Sequence, residues 1–451
     1  MQLQFLGATQ TVTGSKYLLS TANKKILIDC GLFQGLKELR LRNWDKLSVE
    51  PSSIDAVILT HAHIDHSGYI PLLIRNGFSG KIYCTKATQD LCKILLLDSG
   101  HLQEEEARRA NRYGYSKHKP ALPLYTRDEA EKSLAYFTAL EFNKDYVVAG
   151  DFNVCFNSAG HILGAANLLI RHQNTSILFS GDIGRPNDPC IFPPAPIVSA
   201  EYLVVESTYG DRLHENVDVA EEIKTVVNRT IKRGGCVIIP AFAVGRAQSV
   251  LYYLYSLKKQ KKISDVPIYF DSPMATEVTK VMFDHISEHR LSPEEGLAAC
   301  SAAHYINSVD ESKSIDNLDP KIIISANGMA TGGRVLHHIK YYAPNSLNTI
   351  LFSGYQAAGT RGDIMLRGTK QVKMFGELVP INAEVVALNN ISAHADYQEI
   401  LAWLRNMPKP PRKVFVTHGE PHAADALKIK IEETLNWQAV TPKYLETVEL
   451  E

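Results

Sequence analysis

Short apolar runs recur along the whole chain, and several of them end in a polar residue capable of chemistry. Runs such as "KILID", "AVILT", "SILFSGD", "YLVVEST" and "KVFVTHG" are rich in Ile, Val, Leu and Phe. Segments with helical periodicity separate many of them, for instance 88–98, 219–233 and 246–258. Strands that alternate with helices predict an α/β fold.

The polar residues that close these runs are Asp29, His61, Asp182, Glu206 and His418. In α/β folds, side chains at the carboxyl ends of strands and in the loops that follow commonly converge on one crevice. We therefore expect a single site assembled from most of the chain.

The length of 451 residues is too great for one compact core and predicts two or three domains. Basic and acidic residues number 48 and 49, for a formal net charge of −1. Phosphate binding must therefore come from a local patch or from backbone amides, since no global positive field exists. The basic runs 108–119 and 257–262 are typical of solvated surfaces, with contact to RNA as the alternative.

The chain shows no signal for export or for membrane insertion. Its first residues, "MQLQFLGATQTVTGS", lack a basic region followed by an apolar one, and no stretch approaches 18 uninterrupted apolar residues. The seven cysteines are scattered and form no C-x-x-C pair. Free thiols in a reducing cytoplasm are the expectation.

The segment "LTHAHIDHSGY" (59–69) places four potential metal ligands directly after an apolar run. Imidazoles and carboxylates are the usual ligands of catalytic zinc, which keeps one position open for water. His61 and His63 can reach one ion, while Asp65 and His66 lie on the next turn and can face a second. Such a density of ligand-type residues is hard to justify on structural grounds alone.

A two-ion site needs a further imidazole and a bridging carboxylate. The chain offers His161 in "SAGHILGA", Asp182 in "FSGDIG" and His418 in "VTHGE". Each by itself would be an ordinary turn residue, and the cluster at 61–66 makes all three candidate partners.

The strings "ILIDCG", "THAHIDHSG", "AGHILGA" and "SGDIG", in this order, resemble the four leading motifs of the metallo-β-lactamase fold. The resemblance implies an αββα sandwich with a dinuclear zinc site at one edge. It implies that one zinc is bound by His61, His63 and His161, the other by Asp65, His66 and His418, with Asp182 as the bridge. Asp29 would orient the ligands from behind.

The region after Asp182 resembles the β-CASP insertion of nucleic-acid-processing members of this fold. The matching strings are "VVESTYGDR", "PAFAVGRAQ", "DSPMA", "SANGMATGGR", "SGYQAAGTRG", "SAHAD" and "THGE". The similarity is to the nuclease subunit of the cleavage and polyadenylation specificity factor and its short prokaryotic homologues. It implies a metallo-β-lactamase αββα sandwich (1–207 and 376–451) with an inserted α/β β-CASP domain (208–375).

The resemblance assigns three extra motif residues, Glu206, His394 and His418. Two zinc ions with a bound water of lowered pKa suit hydrolysis of a phosphodiester. Asp65, as a ligand of one of these ions, is also a candidate catalytic residue. His394 is the candidate general acid, and Glu206 could orient it or raise its pKa. For "SAHAD" the structural alternative is the start of a helix with an incidental histidine, and both roles can hold together.

Glycine-rich strings offer unhindered backbone amides that can bind phosphate oxygens. The strings "NGMATGGR" and "YQAAGTRG" end near arginines, and a third arginine follows "PAFAVG". Simple turn chemistry is the alternative explanation for each string. The candidate RNA-binding residues are Arg246, Asn327, Gly328, Arg334, Gln356 and Arg361.

The resemblance favours RNA over DNA, because the third extra motif is histidine in RNA-directed members and this chain has His418. The sequence therefore predicts a cytoplasmic ribonuclease with two Zn²⁺ ions that hydrolyses single-stranded RNA by endonucleolytic cutting, 5′-exonucleolytic trimming, or both. A structure-specific DNA nuclease, a non-catalytic RNA-binding scaffold and a small-molecule metallohydrolase are the alternatives. A homodimer is one of the assemblies that the sequence leaves open.

Overall fold

The computed structural model describes residues 1–215, 217–317, 320–354 and 356–451. These residues divide into two compact units. One unit combines Met1–Leu213 with His394–Glu451, and the other is the inserted segment His214–Ala393.

In the first part of the chain strands alternate with helices from Lys25 to Ser133, whereas from Phe137 to Glu206 strands follow one another with no α-helix between them. Its strands are β1 (Gln2–Phe5), β2 (Tyr17–Ser20), β3 (Lys25–Ile28), β4 (Ala56–Ile58), β5 (Lys81–Thr85), β6 (Phe137–Leu140), β7 (Asp145–Val148), β8 (Phe152–Ser158), β9 (Ala166–His172), β10 (Thr175–Phe179) and β11 (Tyr202–Glu206). Its helices are α1 (Lys37–Leu41), α2 (Ile64–Ser67), α3 (Ile70–Arg75), α4 (Lys86–Tyr113) and α5 (Arg127–Ser133).

The inserted segment follows the same alternation. Its helices are α6 (Val219–Lys232), α7 (Arg246–Lys259), α8 (Pro273–Asp284), α9 (Pro293–Ser301), α10 (Val309–Ser314), α11 (Val335–Tyr342) and α12 (Arg361–Leu366). Its strands are β12 (Val237–Pro240), β13 (Ile268–Asp271), β14 (His304–Tyr305), β15 (Ile322–Ser325), β16 (Thr349–Phe352), β17 (Gln371–Met374), β18 (Glu377–Pro380) and β19 (Glu384–Ala387). The chain then returns to the first unit with α13 (Tyr397–Arg405), β20 (Lys413–Thr417), α14 (Pro421–Leu435), β21 (Ala439–Val440) and β22 (Thr447–Glu449).

The first unit is a sandwich of two sheets. Among the described residues, each sheet has seven strands, in the orders β22-β1-β2-β3-β4-β5-β6 and β21-β20-β11-β10-β9-β8-β7. Buried side chains of both sheets, such as Phe5, Ile28, Phe156 and Phe179, form the core between them. Helix α4 contacts β5 and β6 of the first sheet, and residues of α13 and α14 pack on the second sheet. The predicted αββα sandwich is confirmed.

Parallel pairing places the ends of successive strands at the same edge. Strand β3 pairs with β4 in parallel, with Ile28 opposite Ile58, so the chain leaves both strands side by side. In the second sheet β11 pairs in parallel with β20, with Glu206 opposite Thr417. The residues that follow these strands therefore start from neighbouring positions, as expected for parallel strands of an α/β fold.

The inserted unit contains a parallel sheet in the order β14-β13-β15-β12-β16-β19. Buried residues of α6, α7 and α8 pack against one face of the sheet. Residues of α11 and α12 pack against the other face. A parallel sheet covered on both sides explains why "CVIIPAF" and "KIIISA" are continuous apolar runs rather than alternating ones.

The unit boundaries differ from those expected from sequence. The structure divides the chain after 213 and after 393, whereas the motifs suggested divisions after 207 and after 375. The second difference has a simple cause, because β19 pairs with β16 and so belongs to the inserted sheet. The described residues also include no helix long and apolar enough to span a bilayer, and no disulfide joins the cysteines.

A buried polar network lies at the end of β13 in the inserted unit. The fully buried carboxylate of Asp271 accepts hydrogen bonds from Arg334 (2.6 Å), from Nε2 of His338 (2.7 Å) and from the hydroxyl of Ser312. The Nδ1 atom of His338 faces Asp316 at 3.2 Å. Burial lowers the pKa of His338, but the two carboxylates outweigh it and the net shift is upward.

The Asp271→Ala variant is expected to lose about 3–5 kcal/mol of stability in the inserted unit, because the buried imidazole of His338 and the partly exposed guanidinium of Arg334 would lose their shared partner. Calorimetric unfolding would show the loss as a lowered transition temperature. The matched control is Lys280→Ala, which breaks an exposed ion pair with Glu277 and should cost less than about 1 kcal/mol. Equal melting of Asp271→Ala and wild type would show that the network contributes little.

Candidate metal centre

The chain segments that follow strands of both sheets bring the predicted ligands together. Asp29 follows β3, His61 and His63 follow β4, and Asp65 and His66 lie in the short helix α2. The remaining ligands are His161 between β8 and β9, Asp182 after β10 and His418 after β20. Potential ligand atoms of His61, His63, His161 and Asp182 form one group, and those of Asp65, His66 and His418 form a second, with all members of a group within 4.8 Å of one another.

Local backbone geometry fixes the loop after β3 against α2. Asp29 has a left-handed backbone (φ 55°), which a non-glycine residue adopts only when its surroundings demand it. The amide of Cys30 donates to the carbonyl of His66 at 2.7 Å. A Cβ on Gly31 would lie 1.6 Å from the carbonyl oxygen of Asp65, so only glycine fits there. The loop after β3 thus fixes the turn that carries Asp65 and His66.

The first group has the spacing of a tetrahedral zinc site. Nδ1 of His63 lies 3.1 Å from Nε2 of His61 and 3.3 Å from Nε2 of His161. Oδ2 of Asp182 lies 3.4 and 3.5 Å from the same two Nε2 atoms. Donors placed about 2.0–2.1 Å from one tetrahedral ion lie about 3.3 Å apart. The four side chains therefore fit a zinc ion.

The second group has similar spacing. Nε2 of His66 lies 3.1 Å from Nε2 of His418, and Oδ2 of Asp65 lies 3.4 Å from the His418 atom and 3.8 Å from the His66 atom. Oδ1 of Asp182 lies 3.3 Å from Nε2 of His66. This buried oxygen makes no hydrogen bond within the described part of the chain. Asp182 thus directs one oxygen to each group, which is the arrangement of a bridging ligand.

The protonation states of the first group also suit metal binding. Burial, with the neighbouring imidazoles, lowers the pKa of His61 and of His161 below the usual range, and it lowers the pKa of His63 to about 3. These rings are therefore neutral at pH 7, as a metal ligand must be. Burial raises the pKa of the Asp182 carboxyl, but the surrounding imidazoles lower it by more. The net shift is downward, so the carboxylate is ionised.

Hydrogen bonds on the side away from the site set the orientation of the candidate ligand imidazoles. Oδ2 of Asp29 accepts from Nδ1 of His66 at 2.7 Å, which leaves Nε2 directed into the site. The hydroxyl of Thr60 donates to the same carboxylate at 2.9 Å and lies 3.0 Å from Nδ1 of His61. The hydroxyl of Thr208 lies 3.2 Å from Nδ1 of His418. Such outer partners fix the tautomer and the orientation of ligand histidines.

Sequence reasoning missed Thr60, Thr208 and a buried lysine, Lys16. The Lys16 ammonium donates to the carbonyl of Gly31 and lies 4.7 and 4.8 Å from the ring centroids of Phe33 and Tyr69. Burial lowers the pKa of Lys16 to about 8. The position of Thr60 beside the histidine cluster could have identified it, whereas nothing in "TGSKYLLS" signals a buried cation.

His394 and Glu206 lie beside the two groups of ligands. Nδ1 of His394 lies 3.0 and 3.1 Å from the carboxylate oxygens of Glu206 and, since a carboxylate only accepts, carries the hydrogen. Glu206 is buried and also accepts from the amides of Ile183 (2.7 Å) and Thr208 (3.2 Å). Nε2 of His394 lies 4.0 Å from Oδ2 of Asp182, and the ring is 17% exposed. The imidazole therefore faces the two groups of candidate ligands and is accessible from solvent.

The helix-start role considered for "SAHAD" is also present. The side chain of Asp396 caps α13 and accepts from the amides of Gln398 and Glu399. His394 precedes this cap and forms a bridge with Gly184. The capping aspartate and the histidine thus have separate roles within one short string.

The candidate RNA-binding residues lie in the inserted unit, and the contacts of their side chains are internal. Arg334 donates to Asp271 and to two backbone carbonyls, and Arg361 donates to the carbonyls of Lys373 and Thr331. Arg246 donates to the carbonyl of Ile391, and Gln356 donates to the carbonyls of Gly328 and Gly354. The side chain of Asn327 accepts from the amide of Met329. These contacts give the side chains a scaffolding role, and contact with RNA stays a prediction. Tyr355 of the string "SGYQAAGTRG" lies outside the described residues.

Comparisons with known proteins agree with this architecture. A model of the metallo-β-lactamase superfamily matches residues 11–154, a β-CASP domain model matches 247–365, and a model of a Zn-dependent metallo-hydrolase RNA specificity domain matches 378–442. The chain is 32% identical over 436 residues to Ribonuclease TTHA0252 of Thermus thermophilus, with 95% of each chain covered. The chain belongs to the β-CASP ribonuclease family of the metallo-β-lactamase superfamily.

Other relatives extend the similarity within this β-CASP family. An RNase J-like protein of Methanocaldococcus jannaschii is 30% identical over 458 residues, covering 98% of this chain and 97% of the relative. Transcription termination factor FttA of Methanosarcina mazei is 32% identical over 467 residues, covering 99% of this chain and 71% of the relative. A crystal structure of a protein of unknown function from Enterococcus faecalis shares the fold, with a TM-score of 0.50 at 14% identity and 99% coverage of both chains.

The His394–Glu206 pair predicts a pH dependence that can be measured in the metal-free protein. Burial lowers the pKa of His394, but the carboxylates of Glu206 and Asp182 raise it more, to about 8. This pKa exceeds the ordinary histidine pKa of about 6.5. The stabilisation from charged His394 is therefore complete below about pH 6.5 and is lost as the pH rises through about 8.

An NMR titration of the His394 ring in metal-free protein should show the raised pKa. Glu206→Gln should move this pKa toward or below 6.5, because burial would no longer be opposed by a directly bonded carboxylate. Glu433→Gln removes an exposed carboxylate of the same unit and should leave the titration unchanged. An unaltered His394 titration in Glu206→Gln would contradict the assignment of Glu206 as its charge partner.

Proposed function

We propose that this protein is a zinc-dependent ribonuclease that holds two zinc ions and hydrolyses phosphodiester bonds of single-stranded RNA. One observation carries the proposal: two groups of ligand atoms with tetrahedral spacing share a single carboxylate, Asp182. Such paired sites suit in-line displacement at phosphorus.

The ligands proposed for one ion are His61, His63, His161 and one oxygen of Asp182. Those for the other ion are Asp65, His66, His418 and the second oxygen of Asp182. Neutral imidazoles in the first group and ionised Asp182 between the groups support this division. Asp29 acts as a positioning residue, since it bonds His66 directly and Thr60 beside His61.

Zinc, when bound, supplies an activated water near neutral pH and stabilises negative charge on a phosphoryl group. The remaining step belongs to His394, which we assign as the general acid for the leaving oxygen. The raised pKa keeps its ring protonated at neutral pH, and proton donation of this kind is worth about 10²–10⁴-fold in rate. Glu206 holds Nδ1, so that Nε2 presents the proton toward the site.

The proposed substrate follows from the family. An RNA specificity domain model matches residues 378–442, and the relative that matches 95% of the chain bears the name ribonuclease. Because the third extra motif residue is His418, as in RNA-directed members, we favour RNA over DNA. A binding-only scaffold is disfavoured because every candidate ligand position carries a group that can bind metal. A reducing compartment suits cysteines that form no disulfide.

Metal analysis and cleavage assays of two variants test the site. Wild type should contain about two equivalents of zinc. Asp65→Ala should contain about one and cleave RNA at least about a hundredfold more slowly, because one ion loses a ligand. His394→Ala should retain both ions and lose about 10²–10⁴-fold in turnover.

The assay uses 5′- and 3′-labelled RNA beside DNA of the same sequence. Internal products would show endonucleolytic cutting, and a shortening 5′ end would show exonucleolytic trimming. His422→Ala, a substitution of a largely exposed histidine, is the matched control and should behave as wild type. Preferential cleavage of DNA would refute the substrate, and undiminished cleavage by both Asp65→Ala and His394→Ala would refute the site.

A further inference from the structure

The end of helix α4 carries a basic and aromatic surface that the proposed centre does not use. The segment 108–119, "RRANRYGYSKHK", contains five lysines and arginines, two tyrosines and no acidic residue. We refer to it as the 108–119 segment. In a chain of net charge −1, such a local excess of positive charge is a candidate contact for a polyanion.

Both tyrosines are largely exposed. Tyr113 is 69% exposed and Tyr115 is 60% exposed. In its first half α4 buries residues such as Leu91, Leu95 and Leu96, whereas near its end only Ala107 and Ala110 are buried. Packing of the first unit therefore does not require these rings, and exposed aromatic side chains among cations mark an interaction surface.

The segment is held in a defined position. Helix α4 ends at Tyr113, and Gly114 terminates it in a left-handed conformation (φ 67°). The side chain of Asn111 then bonds both backbone groups of Ala121, accepting at 2.7 Å and donating at 3.0 Å. These two bonds close the loop, so residues 115–119 are presented at a fixed place beside the helix end.

The cations of the segment are mostly available to a partner. Arg108 pairs with Glu105 one helical turn earlier. No carboxylate of the described residues lies within ion-pair distance of Arg112, Lys117 or Lys119. The Arg112 guanidinium lies 5.5 Å from the ring centroid of Tyr113. Positive groups combined with exposed ring faces form the kind of platform on which single-stranded nucleic acid stacks its bases.

Helix α4 connects this platform to the metal centre. Its N-cap residue Thr85 and the nearby Thr88 both donate to the carbonyl of Gly164, at 2.7 and 3.0 Å. Gly164 lies in the same short loop as His161. The 28 residues of α4, at about 1.5 Å each, make a rod about 40 Å long. A stacked strand that rises about 3.4 Å per nucleotide covers this length with about 12 nucleotides.

We propose that the 108–119 segment is a binding surface for single-stranded RNA, located about a dozen nucleotides along the strand from the bond that is cut. The inference rests on the proposed function, since it assigns the site a requirement for long substrates. RNA is favoured over an acidic protein because tyrosine faces match bases as well as phosphates.

Fluorescence anisotropy with oligo(U) of 6 and 24 nucleotides tests the proposal in a His394→Ala background, in which cleavage is expected to be about 10²–10⁴-fold slower. Tyr113→Ala/Tyr115→Ala should weaken binding of the 24-mer about tenfold or more, as expected for the loss of base stacking. Lys117→Glu/Lys119→Glu should weaken 24-mer binding and flatten its salt dependence, with the logarithmic slope falling by about 1.4 for two lost phosphate contacts. Binding of the 6-mer should not change.

The matched control, Lys132→Glu/Lys144→Glu, makes the same charge change at two exposed positions of the same unit and should leave 24-mer binding within about twofold of the background protein. Hydrolysis of bis(p-nitrophenyl) phosphate by otherwise wild-type protein with each pair of substitutions should also be unchanged, because this ester reaches only the metal centre. Unchanged 24-mer affinity in both segment variants, or an equal loss in the control, would overturn the inference. A length-dependent loss in a protein that cleaves no RNA would uphold this surface while refuting the proposed ribonuclease activity.

Discussion

Lone pairs of imidazole nitrogens and carboxylate oxygens converge in one largely buried volume, and much of the first unit serves to keep them there. Neutral rings such as His61, His63 and His161 face one another at 3.1–3.3 Å through nitrogens that cannot all donate. Two carboxylates, Asp65 and Asp182, add negative charge to the same volume. This arrangement is unfavourable by itself, and positive charge at its centre turns the repulsion into attraction. This balance of charge is the physical basis of the metal site that we propose.

The fold holds these crowded side chains together with strand ends and with backbone conformations that few residues tolerate. Asp29 and His418 both have left-handed backbones, at φ values of 55° and 49°, and such conformations cost about 1–3 kcal/mol each. The amide of His418 donates to the carbonyl of Ala8 at 2.7 Å, so the last candidate ligand is fixed by the first loop of the chain. Ligands far apart in sequence thus reach one place because parallel strands deliver their ends to a common edge.

The candidate ligand positions could be found in the sequence, but the hydrogen bonds that orient them could not. The strand endings at Asp29, His61 and Asp182 could be found because apolar runs are visible without a structure. Hydrogen bonds from Thr60 and Thr208, and the buried ammonium of Lys16, depend on contacts across loops that no local pattern encodes. The structural division after 393 differs from the predicted one after 375 for a related reason, since β19 joins the inserted sheet through its pairing partner and not through its composition.

The arginines of the glycine-rich strings in the inserted unit have partners within the protein, and their contact with RNA stays a prediction. Their arginines were expected to meet phosphate, yet Arg334 is bonded to Asp271 and Arg361 to backbone carbonyls. A cation that already satisfies a buried carboxylate gains little from a second anion, because it would have to give up the first. The ribonuclease we propose would therefore draw its affinity for RNA from a small number of exposed cations, from aromatic faces and from backbone amides, because the chain has 48 basic and 49 acidic residues.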